Sequence, residues 1–190
     1  MKLRDLKAAC RRRWLFTALA CSAAAVIACP AHARTAAEIN AAADKTLEQF
    51  YASVGGAKEF SRSAKALLVM SDVTKAGFIA GGEYGQGALR VGGKTAAYYN
   101  IVSGSLGFTF GAQKMDIILA FMTQDALDRF RKFDGWEVGV DGNVAIIDMG
   151  GGKRLNTTTL NDPVVGFVFD PKGLMVDVSL KGAKFTKITK

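Results

Sequence analysis

The sequence predicts an α+β fold, with a curled antiparallel sheet or partial barrel, an N-terminal amphipathic helix and one mid-chain helix. Apolar residues first recur at helical spacing, up to about residue 54. From residue 67 onward they instead alternate with polar ones, and Gly, Asn and Asp mark the turns between segments. The chain of 190 residues is long enough for one domain and a leader.

The leader comprises residues 1–33 and is predicted to be a secretory signal peptide. Its first 13 residues are basic, an apolar run follows, and Ala31-His32-Ala33 has the small-x-small pattern of a cleavage site. Two cleavage sites compete, one after Ala33 and one before Cys29, because Val26-Ile27-Ala28-Cys29 matches a bacterial lipobox. The sequence therefore predicts export, either to the periplasm as a soluble protein or to the outer membrane as a lipoprotein acylated at Cys29.

Removal of the leader changes the chemistry that is available to the domain. All three Cys and the only His precede residue 34. The mature domain thus has no thiol, no imidazole and no disulfide, so we expect neither an enzyme, nor a metal site, nor a cofactor. The leader also holds six of the 25 basic residues and one of the 17 acidic ones, which lowers the net charge from +8 to +3. Nucleic acid is therefore not an expected partner.

Two helical segments open the mature chain. Thr35 and Glu38 have the spacing of a capping box, and apolar residues follow at helical intervals up to Gly55-Gly56, which predicts an N-terminal helix within residues 34–56. Residues 57–66 form a second, shorter helical segment at the start of the domain that we assign to residues 57–190. The polar side of this segment carries Lys58, Arg62 and Lys65.

Strands make up most of the rest. Gly92-Gly93 is typical of a two-residue hairpin turn, and residues 115–122 are almost continuously apolar, as in a buried strand. Thr123 is predicted to cap the mid-chain helix, which should end near Gly135. Residues 170–173, with the sequence Asp-Pro-Lys-Gly, are predicted to be the turn of a final hairpin between residues 164–169 and 174–180.

The glycine-rich stretch from Lys75 to Gly87 has two interpretations. A dinucleotide loop requires Gly-x-Gly-x-x-Gly between a strand and a helix. Here the spacing is reversed, and residues 88–91 look like a strand. The sequence therefore favours close packing of backbone over phosphate binding by this stretch.

The ordered motifs of residues 57–187 resemble the SYLF domain family. They are, as they stand in this chain, Ala64–Met70, Lys75–Gly82, Tyr84–Leu89, Gly104–Gln113, Ile118–Met122 and Lys172–Gly182. Eukaryotic members are described as phosphoinositide- and actin-binding modules, and bacterial ones as secreted or lipoprotein-like. The resemblance implies binding of lipid or of a membrane surface outside the cytoplasm.

Two functions follow as hypotheses. The first is a periplasm-facing module that binds anionic phospholipid headgroups with basic side chains. The candidate lipid-binding residues are Lys58, Arg62, Lys65 and Lys75, with a second patch at Lys181, Lys184 and Lys187. The alternative is a non-enzymatic envelope scaffold that binds a protein or a cell-wall polymer through its strand faces and Tyr98-Tyr99.

Overall fold

The computed structural model describes residues 34–77, 80–106, 111–148, 162–173 and 180–190, and residues 34–190 form one compact unit with its own core. The elements of the described residues confirm the α+β class. They are, in chain order, α1 (Ala36–Ser53), α2 (Ala57–Ser63), β1 (Ala66–Gly77), β2 (Ala80–Val91), β3 (Lys94–Leu106), β4 (Gly111–Phe121), α3 (Gln124–Lys132), β5 (Trp136–Glu137), β6 (Ala145–Asp148), β7 (Val164–Gly173) and β8 (Lys184–Ile188).

The strands form one strongly curled sheet, a half-barrel, in the order β5-β8-β3-β2-β1-β4-β7-β6. Its neighbouring strands are antiparallel except for β6 and β7, which run parallel, so the sheet is mixed where the sequence predicted an antiparallel one. Residues 149–163 separate β6 from β7, and a connection of that length allows the two strands to run parallel, which a tight turn would not.

Two bulges interrupt the pairing of β4 with its neighbours β1 and β7. Asp72 on β1 and Asp170 on β7 both have positive φ, 54° and 52°, and the strand register shifts beside each of them. The predicted turn at residues 170–173 is therefore wrong, because β7 continues through these residues and pairs with β4 as far as Gly173. A left-handed Asp followed by Pro suits a bulge as well as a turn, and here pairing with β4 selects the bulge. Residues 174–179 of the predicted hairpin lie outside the described residues.

The helices begin at the predicted caps. The Thr35 hydroxyl accepts a hydrogen bond from the Glu38 N–H at 3.3 Å, and the Glu38 carboxylate accepts one from the Thr35 N–H at 2.7 Å, which completes the capping box of α1. The Thr123 hydroxyl accepts the Ala126 N–H at 3.2 Å and caps α3. Within the part of the chain that the structure describes, no helix has both the length and the apolar character needed to cross a bilayer.

Two apolar cores lie on opposite faces of the sheet. On one face α1 and α2 cover the sheet, and Phe167 of β7 contacts Phe50 and Phe60, with ring centroids 4.9 and 5.2 Å apart. On the other face α3 packs through Phe130, whose ring centroid lies 4.8 Å from that of Tyr99 and 5.5 Å from that of Trp136. Helices thus cover an apolar core on each face of the sheet.

The glycines of β2 allow close packing against β1. A Cβ atom added to Gly87 would lie 2.8 Å from Cα of Met70, and one added to Gly85 would lie 3.2 Å from Cα of Val73. Residues 80–91 form a strand throughout, which pairs with strands on both sides and leads into a hairpin turn, not a helix. Close packing is confirmed for Gly85 and Gly87, and no helix follows the strand at residues 80–91, as a dinucleotide site would require.

Candidate functional site

Helix α2 presents basic side chains because its apolar residues fix its orientation. Gly56 adopts a left-handed φ of 84° just before the helix, and the chain then turns back toward the sheet. Ala57 and Phe60 are buried, three residues apart, on the face that packs against β7. Lys58 and Arg62 therefore point away from the sheet and are exposed.

A groove lies between α1, α2, the start of β1 and the β2–β3 turn. Its volume is about 390 Å³, which is in the range of small-molecule sites. Its lining combines basic and apolar side chains. The lining residues are Asp44, Leu47, Tyr51, Lys58, Ser61, Arg62, Ala64, Lys65, Ala66, Leu67, Arg90, Gly92 and Gly93.

The groove is positively charged. Four of its lining residues are cations and one, Asp44, is an anion, so the lining carries a net charge of +3. Asp44 pairs with Arg90, with 2.6 Å between Oδ1 and Nη2. Lys58, Arg62 and Lys65 are exposed and form no ion pair with any residue that the structure describes. Three cations are therefore available to an anionic ligand.

One wall of the groove is apolar. Leu47 and Tyr51, one turn apart on α1, are half-buried and line the groove together with Ala64 and Leu67. They belong to the core under α1 and α2 or pack against it, so the wall is held in place from behind. A basic rim beside a fixed apolar wall suits a ligand with an anionic head and an apolar body.

Arg90 is a groove residue that the sequence analysis missed. It lies near the end of β2, and only 13% of its side chain is exposed. Its Nη2 also donates to the backbone carbonyl of Asn40 at 3.3 Å. The sequence does mark Arg90, because it is the single basic residue of a strand that leads into Gly92-Gly93. Its burial, however, depends on contacts with α1, about 50 residues earlier in the chain.

The structure separates the candidate lipid-binding residues. Lys58, Arg62 and Lys65 line the groove together. Lys75 does not, because it lies on β1 with only 5% of its surface exposed, opposite Glu83 on β2. The C-terminal candidates Lys181, Lys184 and Lys187 are exposed, and none of them lines the groove. Cys29 lies outside the described residues.

The structure buries one tyrosine of the pair named in the alternative hypothesis. Tyr99 is 2% exposed and packs on Phe130. Tyr98 is half-buried, and its hydroxyl accepts a hydrogen bond from Asn40 Nδ2 at 2.9 Å. The prediction that Tyr98-Tyr99 offers contact surface is wrong for Tyr99, because its ring lies in the core under α3.

Asp116 is a buried carboxyl group that joins α1 to the sheet. It lies on β4 between the two bulges, and it accepts hydrogen bonds from the Asp72 N–H at 2.8 Å and from the Thr46 hydroxyl at 3.2 Å. Thr46 in turn lies 2.8 Å from the Ser71 hydroxyl. Burial raises the pKa of Asp116, and the hydrogen bonds from Asp72 and Thr46 oppose that rise. Among the described residues, no three acidic, His or Cys side chains are grouped so that they could hold a metal ion.

The half-barrel and its groove define a class of α+β domain with a preformed basic site and an apolar wall. Residues 102–190 match the family described as Ysc84, Las17-binding protein actin regulator. No curated protein matches the chain. This match over residues 102–190 confirms the resemblance to the SYLF domain family. The groove residues, from Asp44 to Gly93, all precede the matched segment.

Proposed function

We propose that the protein is a lipid-binding module of the cell envelope, which holds anionic phospholipid headgroups in the groove beside α2. The observation that carries the proposal is the net charge of +3 on a groove with an apolar wall. The family description, Las17-binding protein actin regulator, supports a binding role in a general way, and we propose a binding role, not a catalytic one.

The expected strength of binding follows from the three exposed cations. Each basic residue near an anionic bilayer contributes about 1 kcal/mol. Lys58, Arg62 and Lys65 together should then contribute about 3 kcal/mol, which is roughly a hundredfold in affinity. Because the Debye length falls from ~30 Å at 0.01 M salt to ~10 Å at 0.1 M, this binding should weaken as salt is added.

The location of the module is part of the proposal. The leader in residues 1–33 supports export, and a lipobox ending at Cys29 supports anchoring by acyl chains, whereas cleavage after Ala33 would leave the protein free in the periplasm. The intact mass of the protein, extracted from cell membranes, distinguishes these outcomes. A mass with acyl chains on Cys29 supports the anchor, and an unmodified chain that begins at Arg34 contradicts it.

Co-sedimentation of residues 34–190 with vesicles tests lipid binding. We expect binding to vesicles that contain phosphatidylglycerol, little binding to pure phosphatidylcholine, and a roughly hundredfold loss of affinity when Lys58, Arg62 and Lys65 are all changed to Gln. The matched control removes the same charge at Lys181, Lys184 and Lys187. Equal losses from the two triple variants would show that net charge, not the groove, causes binding.

A second candidate function is favoured by one exposed patch. Tyr84 on β2 and Val102 on β3 are directly opposite each other in the sheet and are 52% and 48% exposed. Beside them Gly82 and Gly104 are also paired, and both are exposed. This patch supports a scaffold that docks a protein or cell-wall partner on the sheet. Capture of an envelope partner that is lost in Tyr84→Ser, with no vesicle binding by residues 34–190, would favour that function.

A further inference from the structure

A second groove lies beside α3, on the face of the sheet opposite to the one that α1 and α2 cover. Its volume is about 470 Å³. The start of α3, the connection between β5 and β6 and the start of β7 form its walls. The two faces of the half-barrel therefore each carry a groove that is large enough to receive part of another molecule.

The groove beside α3 is negatively charged. Its lining contains three carboxylates, Asp125, Asp141 and Asp162, and one cation, Arg129, so its net charge is −2. Arg129 is already paired, since its Nε lies 3.0 Å from Oδ2 of Asp125. Asp141 and Asp162 form no ion pair with any residue in the described ranges. Two carboxylates are therefore available to cations from outside.

The wall that carries Asp141 is fixed against the core. Oδ2 of Asp141 accepts a hydrogen bond from the Glu137 N–H at 2.8 Å, within the connection between β5 and β6. The next residue, Gly142, packs on the buried indole ring of Trp136, because a Cβ atom added to Gly142 would lie 2.6 Å from Cζ2 of that ring. The acidic groove is thus preformed, and a partner does not need to order it.

The surface beside α2 is complementary to this groove in charge. It has a net charge of +3, and its three exposed cations are unpaired among the described residues. Lys58 and Arg62 lie one turn apart on the exposed side of α2, so both long side chains can enter a single concave surface. Opposite charges on two surfaces attract and fix the orientation in which they meet. A second copy of this chain therefore carries the partner surface that the acidic groove fits.

We propose that the protein associates with itself head to tail, so that Lys58, Arg62 and Lys65 of one copy dock on the acidic groove beside α3 of the next copy. The two surfaces are different and lie on opposite faces of the sheet, so each added copy presents a new docking surface and association continues beyond a dimer. The proposal goes beyond lipid binding, for which one copy is sufficient. Both use the same cations, so a copy docked on its neighbour does not present them to lipid.

Sedimentation velocity of residues 34–190 at about 0.01 M salt tests the association. We expect the mean sedimentation coefficient to rise with protein concentration past the value of a dimer, and to fall when about 1 M salt shortens the Debye length to ~3 Å. Two double variants each reverse one surface. Lys58→Glu with Arg62→Glu makes the basic surface acidic, and Asp125→Lys with Asp162→Lys makes the acidic groove basic. Each should weaken association at least about tenfold.

Mixing the two double variants separates docking from misfolding. In an equimolar mixture each reversed surface meets the other reversed surface, so association should return, which two misfolded proteins would not show. Matched controls make the same changes in net charge at exposed residues outside both grooves. They are Lys132→Glu with Lys187→Glu, and Asp128→Lys with Asp134→Lys, and both should retain association.

The outcomes decide this proposal and the lipid function separately. Unaltered protein that stays monomeric at every concentration overturns self-association, and so does a mixture that does not recover or a control that loses association equally. A dimer that does not grow overturns the head-to-tail arrangement. The variant Asp125→Lys with Asp162→Lys keeps the cations beside α2, so it should still bind vesicles that contain phosphatidylglycerol. Its failure to do so counts against the lipid function alone, and vesicle binding by a strictly monomeric protein counts against self-association alone.

Discussion

Replacing Gly87 with alanine should strongly destabilise the sheet, because β2 packs against the backbone of β1 at this position. An added Cβ would lie 2.8 Å from Cα of Met70 and 2.5 Å from its sulfur, and it would also contact the carbonyl oxygen of Val69. The thioether can move, but the two backbone atoms belong to a strand that is paired on both sides. The strands must therefore separate locally.

The expected loss of stability depends on which atoms the added Cβ would contact. Overpacking a core costs about 1–3 kcal/mol when side chains can adjust. Because backbone is involved here, we expect Gly87→Ala to lower the free energy of unfolding by about 3 kcal/mol, or the melting temperature by about 6–12 °C. Gly82→Ala on the same strand is the control. Its nearest neighbour would be the Ser103 carbonyl oxygen at 3.9 Å, so we expect a change within about 0.5 kcal/mol.

Urea unfolding of residues 34–190 measures both variants. Trp136 is the only Trp in this fragment, and it is buried under α3, so its fluorescence reports loss of the core. Equal stability of Gly87→Ala and Gly82→Ala would refute the packing argument.

Two further predictions concern carboxyl groups. Burial raises the pKa of Asp116, so the folded state binds this proton more tightly than the unfolded chain, and the free energy of unfolding should fall as pH rises through that pKa. Urea titrations from about pH 4 to about pH 7 should show this decline in the unaltered protein and not in Asp116→Asn. Asp44 is the one carboxylate in the groove lining. Asp44→Asn should raise the affinity for anionic vesicles about fivefold in co-sedimentation, and lower affinity would show that Asp44 mainly positions Arg90.

The sequence predicts the elements whose signals are local. The capping box at Thr35, the hairpin turn at Gly92-Gly93 and the buried strand ending at Phe121 each depend on a few neighbouring residues, and each is confirmed. Both turn glycines have positive φ, 56° and 79°, as a two-residue hairpin requires. Residues that are close together in the sequence determine each of these elements, so the sequence alone is sufficient to predict them.

Strand alternation fails to predict the burial of Lys75 because of the bulge at Asp72. Along β1, Leu68 and Met70 face the core under α3, and strict alternation would place residue 75 on the opposite face. The extra residue at Asp72 shifts the period by one, so Val73 returns to that core and Lys75 follows on the same face. The bulge is set by pairing with β4, which the local sequence does not reveal.

If the protein binds lipid as proposed, the groove beside α2 faces the membrane. Residues 34–190 contain no Cys, so a single Cys can be placed and labelled with a fluorophore. Ser63→Cys places the label at the end of α2, and Val102→Cys places it on the exposed sheet patch. On anionic vesicles with spin-labelled headgroups, we predict strong quenching at position 63 and little at position 102. Strong quenching at position 102 with none at position 63 would contradict this orientation and show that the sheet patch faces the lipid instead.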